Sequence, residues 1–172
     1  ASWQAAGLRM PISVNIGGRQ LQQADFLDRL RGILAHYPHL PRGDLNIEVL
    51  ETTALEDIAK VSRVIEECAG LGVDFALDDF GSGLSSFAYL KELPIDCLKI
   101  DSSFIQTMDN SDVDYSVVST INHLGHIMGV STVAEGVENK TQHQLLKKIG
   151  VDYVQGFQIQ RPKPLNKGIP TI

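Results

Sequence analysis

Apolar positions along the chain alternate between two periods. Six short runs, residues 11–16, 45–50, 74–78, 96–100, 131–134 and 152–155, are rich in β-branched and aromatic residues and are bounded by Gly, Pro, Asp or Asn. They read as strands. The intervals repeat apolar residues at helical spacing. Phe26, Leu30, Ile33, Leu34 and Tyr37 form the first such stripe, with Asp25 placed to cap it and Pro38 to stop it. Ile58, Val61, Ile65 and Cys68 form the second, ended by Gly70 and Gly72. Residues 85–90 suit a short helical turn. Asp112 is placed to cap a helix with Val113, Val117, Ile121, Leu124 and Met128 on one face, closed by Gly129. Residues 141–149 make a last helix, ended by Gly150. Strands alternating with helices predict an α/β fold built of βα units around a parallel sheet. One domain is expected over residues 1–165, with a proline-containing run at its end and a tail over 166–172.

Composition narrows the class. At 172 residues and 43% hydrophobic content, the chain can bury the core of one soluble domain. It has no apolar run of membrane-spanning length, and its start lacks the features of a signal peptide. A cytoplasmic location is expected, either free or as the cytoplasmic part of a membrane-anchored protein. The first residue is Ala rather than Met, which suggests a piece of a longer polypeptide. Fifteen basic against 21 acidic residues give a net charge of −6, which argues against a nucleic-acid polymer as partner. Cys68 and Cys97 lack metal-type spacing and are expected as free thiols.

Polar residues recur at one end of the strands. Asn15, Glu48, Asp78, Lys99, Glu135 and Gln155 each fall at or just after the C-terminal end of a different run. Parallel βα folds build their sites there. Strand parity turns Asn15 and Ser13 to one face and Val14 and Ile16 to the other; Asn46 and Glu48 separate likewise from Ile47 and Val49. The fifth strand fits less well, because Glu135 shares its parity with Val133. Asp78 and Asp79 are adjacent, so they can share a face only if Asp79 is already leaving the strand, which Gly81 and Gly83 would permit. Alone, this Asp-Asp-Phe-Gly run suits a capped turn as well as a metal site. Converging carboxylates repel by roughly 4 kcal/mol per close pair at a surface-like dielectric. Lys99 or divalent cations must therefore sit among them. Asparagine plus carboxylates is a Mg²⁺ or Mn²⁺ set rather than a zinc set. The same residues also suit a Mg²⁺-dependent barrel that abstracts a proton beside a carboxylate, with Lys99 as base. His123 and His126 lie one helical turn apart, but on a helix outside the sheet and away from the strand ends.

Several stretches together resemble one family. Ser13-Val-Asn15, Glu48-Val-Leu-Glu51, Leu77-Asp-Asp-Phe-Gly-Ser-Gly83, Leu93-Pro-Ile-Asp-Cys-Leu-Lys-Ile-Asp101, Val133-Ala-Glu-Gly-Val-Glu138 and Gln155-Gly-Phe157 occur in the order found in EAL-type cyclic di-GMP phosphodiesterases. Gln142 and Pro162 also fit. The resemblance implies a (β/α)₈ TIM-type barrel, of which about six of eight βα units are present here. It implies hydrolysis of cyclic di-GMP to linear pGpG with two Mg²⁺ or Mn²⁺ ions. By position, Asn15, Glu48 and Asp78 would hold one ion, and Asp78, Asp79 and Glu135 the other. Lys99 would act on the attacking water, supported by Glu138 and Gln155, and Asp101 would touch substrate.

The sequence also departs from the family. The Glu-Ala-Leu tripeptide that names it, whose glutamate ligates metal, is absent. Leu50 stands where the family usually has threonine, and Asn15-Ile-Gly-Gly replaces the usual Asn-Leu-Ser. Six units are expected to leave open edges near Val14 and Val154. The segment alone is expected to be inactive or to pair with another chain, a homodimer being expected, with sensory or cyclase domains upstream in the parent. The alternative is a catalytically silent EAL-type domain that serves as a cyclic di-GMP receptor or protein-interaction module.

Overall fold

The computed structural model describes residues 10–82 and 87–163. Gly83, the start of the expected turn at Ser85 and the tail over 166–172 lie outside them. Six strands run in the order of the sequence: β1 (Ile12–Asn15), β2 (Leu45–Leu50), β3 (Asp74–Phe80), β4 (Cys97–Ile100), β5 (Ser131–Ala134) and β6 (Tyr153–Val154). Every neighbouring pair is parallel, and the sheet curls into a half-barrel. Its helices are α1 (Gly18–Leu21), α2 (Phe26–Ala35), α3 (Glu51–Glu56), α4 (Ile58–Gly70), α5 (Ser102–Thr107), α6 (Asp112–Met128) and α7 (Lys140–Ile149), with a 3₁₀ segment at Phe87–Glu92.

Parity organises the layers. Ile47, Val49, Phe75, Leu77, Leu98 and Ile100 are buried against the helices. Their neighbours Glu48, Asp78 and Lys99 meet on the opposite, concave face. The apparent exception in β5 has a local cause. Thr132, on the helix side, donates its hydroxyl to Asn122 Oδ1 and accepts the Asp152 N–H, so it buries as a satisfied polar group. Val133 takes the barrel side with Glu135.

Several local expectations are corrected. In α2 the buried residues are Phe26 and Leu30 and Leu34 packs partly buried against the core, while Ile33 and, beyond the helix end, Tyr37 are exposed. Asp25 occupies the N-cap of α2 without a side-chain bond. The cap of α6 is Ser111, which accepts the Asp114 N–H, rather than Asp112. That helix buries Val118, Ile121, Asn122 and Gly125, and Val113 is exposed. The buried face includes Asn122 and a glycine because Thr132 requires them. A Cβ at Gly125 would stand 2.6 Å from the Thr132 methyl.

Candidate metal-binding and catalytic site

The site is built from strand ends. β2 carries Glu48 and β4 carries Lys99, both inside regular ladders. β3 delivers two consecutive carboxylates through an irregularity: its register with β4 shifts between Leu77 and Phe80. Asp79, inside the shift, has φ +54, the one positive φ among the described non-glycine residues. A bulge of this kind re-aims a side chain. The Asp79 N–H turns back onto Asp78 Oδ1, at 3.1 Å. The expected departure from the strand is corrected: Asp79 is re-aimed by a bulge inside β3, which resumes pairing at Phe80 with Ile100 before the glycines. Gly81 follows with φ +94, and a Cβ there would press on the Phe104 ring at 3.0 Å. Only glycine fits that turn.

Glu51, quoted above within a motif but given no role, anchors this loop. Its carboxylate is buried, accepts the Gly81 N–H at 3.1 Å and accepts the Tyr89 hydroxyl. A glutamate three residues after Glu48, at the start of α3, is the available sequence signal. Its contacts depend on folding.

Lys99 is the centre. Its Nζ lies 2.8 Å from Glu48 Oε2, 2.8 Å from Asp78 Oδ1 and 2.9 Å from Glu135 Oε1. Burial alone would depress its pKa, but the bonds to Asp78, Glu135 and Glu48 outweigh it and hold Lys99 protonated above the usual lysine range. Glu135 is pushed up to about 7, first by burial and then by Asp78, with Lys99 pulling the other way. Asp79 is also raised, by burial and then by Asp78 and Asp101. Four carboxylates against one ammonium leave excess negative charge.

Asp78, Asp79 and Glu135 each offer an oxygen, all within 4.8 Å of one another. That all-oxygen cluster fits a hard divalent cation such as Mg²⁺ or Mn²⁺. Asn15 pairs with Glu48 in register, at the exposed end of β1. Asp101 accepts the Ser103 N–H as cap of α5. Glu138 and Gln155 stand exposed on the loops after β5 and β6. Those loops interlock through Val137 N–H to Gln155 O and Gln155 N–H to Ala134 O. Gln142, buried, accepts the N–H groups of Glu138 and Asn139 and so fixes the loop beyond Glu135. The structure therefore gathers Glu48, Asp78, Asp79, Lys99 and Glu135, sets Asn15 beside Glu48, and leaves Asp101, Glu138 and Gln155 around the rim. Leu50, 44% exposed, pairs in register with Asp78. His126 instead binds Asp152, which precedes β6 at the other end of the strands.

The chain is similar in sequence to proteins of one group. Cyclic di-GMP phosphodiesterase PdeB of Shewanella oneidensis is 37% identical over 154 residues, covering 90% of this chain and 18% of that protein. The bifunctional diguanylate cyclase/cyclic di-GMP phosphodiesterase MucR of Pseudomonas aeruginosa is 36% identical over 161 residues, covering 94% and 23%. The chain spans about a fifth of the length of these curated relatives. A solved structure described as PaMucR phosphodiesterase in complex with c-di-GMP superposes with TM-score 0.90 at 36% identity, covering 96% of this chain and 67% of that one. A family model described as the EAL domain matches residues 1–162, and the chain belongs to that family.

Proposed function

We propose that this chain is the greater part of a domain that hydrolyses cyclic di-GMP to linear pGpG. The observation that carries the reading is the convergence of Lys99 with Glu48, Asp78 and Glu135 at the C-terminal ends of parallel strands, beside an all-oxygen cluster of Asp78, Asp79 and Glu135. The activity named for its relatives supports it. Asn15, Glu48 and Asp78 would hold one ion, and Asp78, Asp79 and Glu135 the other. Bound divalent ions supply an acidified water and positive charge for an in-line displacement at phosphorus. Lys99, presented by β4 among these carboxylates, orients the attacking water and offsets negative charge that develops on the phosphate oxygens. Glu138 and Gln155 line the rim on rigid loops, and Asp101 faces the nucleotide. The 172-residue chain contains no Glu-Ala-Leu. It therefore lacks one ligand of the family's set, and the complete domain is proposed as the active unit.

Leu50 favours a second reading. An exposed leucine beside Asp78, in place of a hydroxyl, suits a domain that binds the nucleotide without turning it over. Hydrolysis of cyclic di-GMP by the parent protein, with and without Lys99→Ala, separates the two. The substitution is expected to cost at least about 100-fold in turnover, the scale of a positioned electrostatic or general-base group. Unchanged turnover removes Lys99 from the mechanism. Nucleotide binding with no turnover in the unaltered parent favours the receptor.

A further inference from the structure

We propose that Lys99 is a displaceable stand-in cation, which holds the site's carboxylates together before metal arrives and which a divalent ion must push off Asp78 and Glu135 in order to bind. The inference rests on the metal reading above and goes beyond it, because it concerns the metal-free protein and the competition that sets metal affinity.

Three observations carry it. First, the ammonium has three N–H donors and finds three carboxylate oxygens, on β2, β3 and at the end of β5, at 2.8, 2.8 and 2.9 Å. Its donors are fully used, with 4% of the residue exposed, so it occupies a built cation site. Secondly, two of those partners, Asp78 and Glu135, belong to the oxygen cluster that fits a divalent ion, while Asp79 is the member without an ion pair to Lys99. Ammonium and metal therefore draw on the same pair of carboxylates. Asp78 Oδ1 accepts the Asp79 N–H in addition to Lys99, so this carboxylate is engaged from two sides in the metal-free chain. Thirdly, the lysine charge rides on a flexible four-carbon stem, which can withdraw without any backbone change. Glu48, outside that three-carboxylate cluster, keeps its Oε2 contact to Lys99 when the ion of Asp78, Asp79 and Glu135 takes the other two, and its second oxygen is the one left for the neighbouring ion.

The arrangement has a functional consequence. Without a resident cation, carboxylates from three strands would splay apart, and the metal would have to gather them on arrival. Lys99 keeps them converged. The cost is paid in affinity, since each ion that enters displaces a charge already paired. On displacement the ammonium is freed from two carboxylates while still tethered to Glu48, and so becomes available beside the loaded site.

The test uses the 172-residue chain, with Mn²⁺ titration calorimetry on the unaltered protein, Lys99→Met and Lys99→Arg. Methionine keeps the stem and removes the charge, whereas arginine keeps the charge. Removing a unit positive charge a few ångström from the ion should tighten Mn²⁺ binding by Lys99→Met at least about tenfold. Lys99→Arg should show no such gain. In the metal-free state Lys99→Met should melt below the unaltered chain, and saturating Mn²⁺ should close the gap. Equal or weaker Mn²⁺ binding by Lys99→Met overturns this inference and leaves the metal reading intact; no binding by any of the three overturns both. If Lys99→Met does not fold, NMR of the unaltered chain decides. The Lys99 ammonium signal, slow to exchange when triply bonded, should shift or broaden on saturation with Mg²⁺, and an unmoved signal overturns the inference.

Discussion

Glu51 is 2% exposed, and its two oxygens take up the Gly81 N–H and the Tyr89 hydroxyl. Removing such a carboxylate takes a charged acceptor from the Gly81 N–H and the Tyr89 hydroxyl and frees the turn that follows Asp79. Glu51→Ala should destabilise the chain by about 2–4 kcal/mol in urea denaturation, and weaken Mn²⁺ binding in the same preparation. Loss of stability with Mn²⁺ affinity intact would separate Glu51 from the site. Glu135 sets a second expectation, because its pKa stands at about 7 against an ordinary 4.5. For a carboxyl raised in this way, the stability it contributes is fully present below 4.5 and is lost as pH rises through about 7. Metal must expel the proton held there, so Mn²⁺ affinity should climb with pH up to and through about 7, with proton release visible in buffers of different ionisation enthalpy. A pH-independent affinity would mean that Glu135 is already ionised or does not ligate. At this scale the sequence was informative about residue types and parity, which pointed to Glu48, Asp78, Lys99 and Glu135. The positive φ of Asp79 and the role of Glu51 were not legible, because both arise from contacts between distant segments.

The elements show a second division between the two ends of the sheet. The C-terminal strand ends carry the site, and the opposite ends carry aspartates that clip neighbouring strands. Asp96 accepts the Phe75 N–H at 2.8 Å, and Asp152 accepts the Thr132 N–H at 2.8 Å. Both precede a strand and bind the strand before it. Burial alone would raise the Asp152 pKa, but the Thr132 N–H and hydroxyl and His126 together hold it below the usual range. A depressed carboxylate contributes stability that is present above its unfolded pKa and is lost as pH falls through its folded value. Asp152→Asn should therefore lower the melting temperature at neutral pH, with the gap to the unaltered chain closing at acid pH. A gap that persists there would assign Asp152 a charge-independent role. Element prediction succeeded where periodicity was long. The core strands and α4 emerged from apolar alternation and a four-residue stripe, but α1, α3 and α5 are too short to show one. Of the stripe expected in α6, Ile121 is buried, Val117, Leu124 and Met128 pack partly buried against the core, and Val113 is exposed; the added burial of Asn122 and Gly125 answers to Thr132 across the sheet, which no pattern within the helix reveals.

At the scale of the molecule, the strand order ends in two edges. Among the described residues β1 and β6 each pair on one side only, and Ile12, Val14, Tyr153, Phe157 and Ile159 are exposed along or just beyond them. Unpaired N–H and C=O groups flanked by apolar side chains form a template for another strand. A groove between β1 and α2, lined by Val14, Ile16, Phe26, Leu30 and Ile33, adds uncovered apolar surface at the same edge. The sequence already predicted these edges, since six βα units fall short of the eight that close a barrel of this family. The 172-residue chain on its own should accordingly self-associate with rising concentration, seen as a growing sedimentation coefficient. Ile12→Lys, which places a charge on the open edge of β1, should shift that association to higher concentration by about tenfold, because burying an unpaired ammonium in a new strand pairing is unfavourable. The substitution lies at the opposite end of β1 from Asn15, so the Mn²⁺ affinity of the Lys99 site should stay unchanged. A chain that remains monomeric at about 100 µM would show its edges to be protected, and association unaffected by Ile12→Lys would place the contact elsewhere, with α6 and its exposed Val113 and Ile127 the next surface to alter.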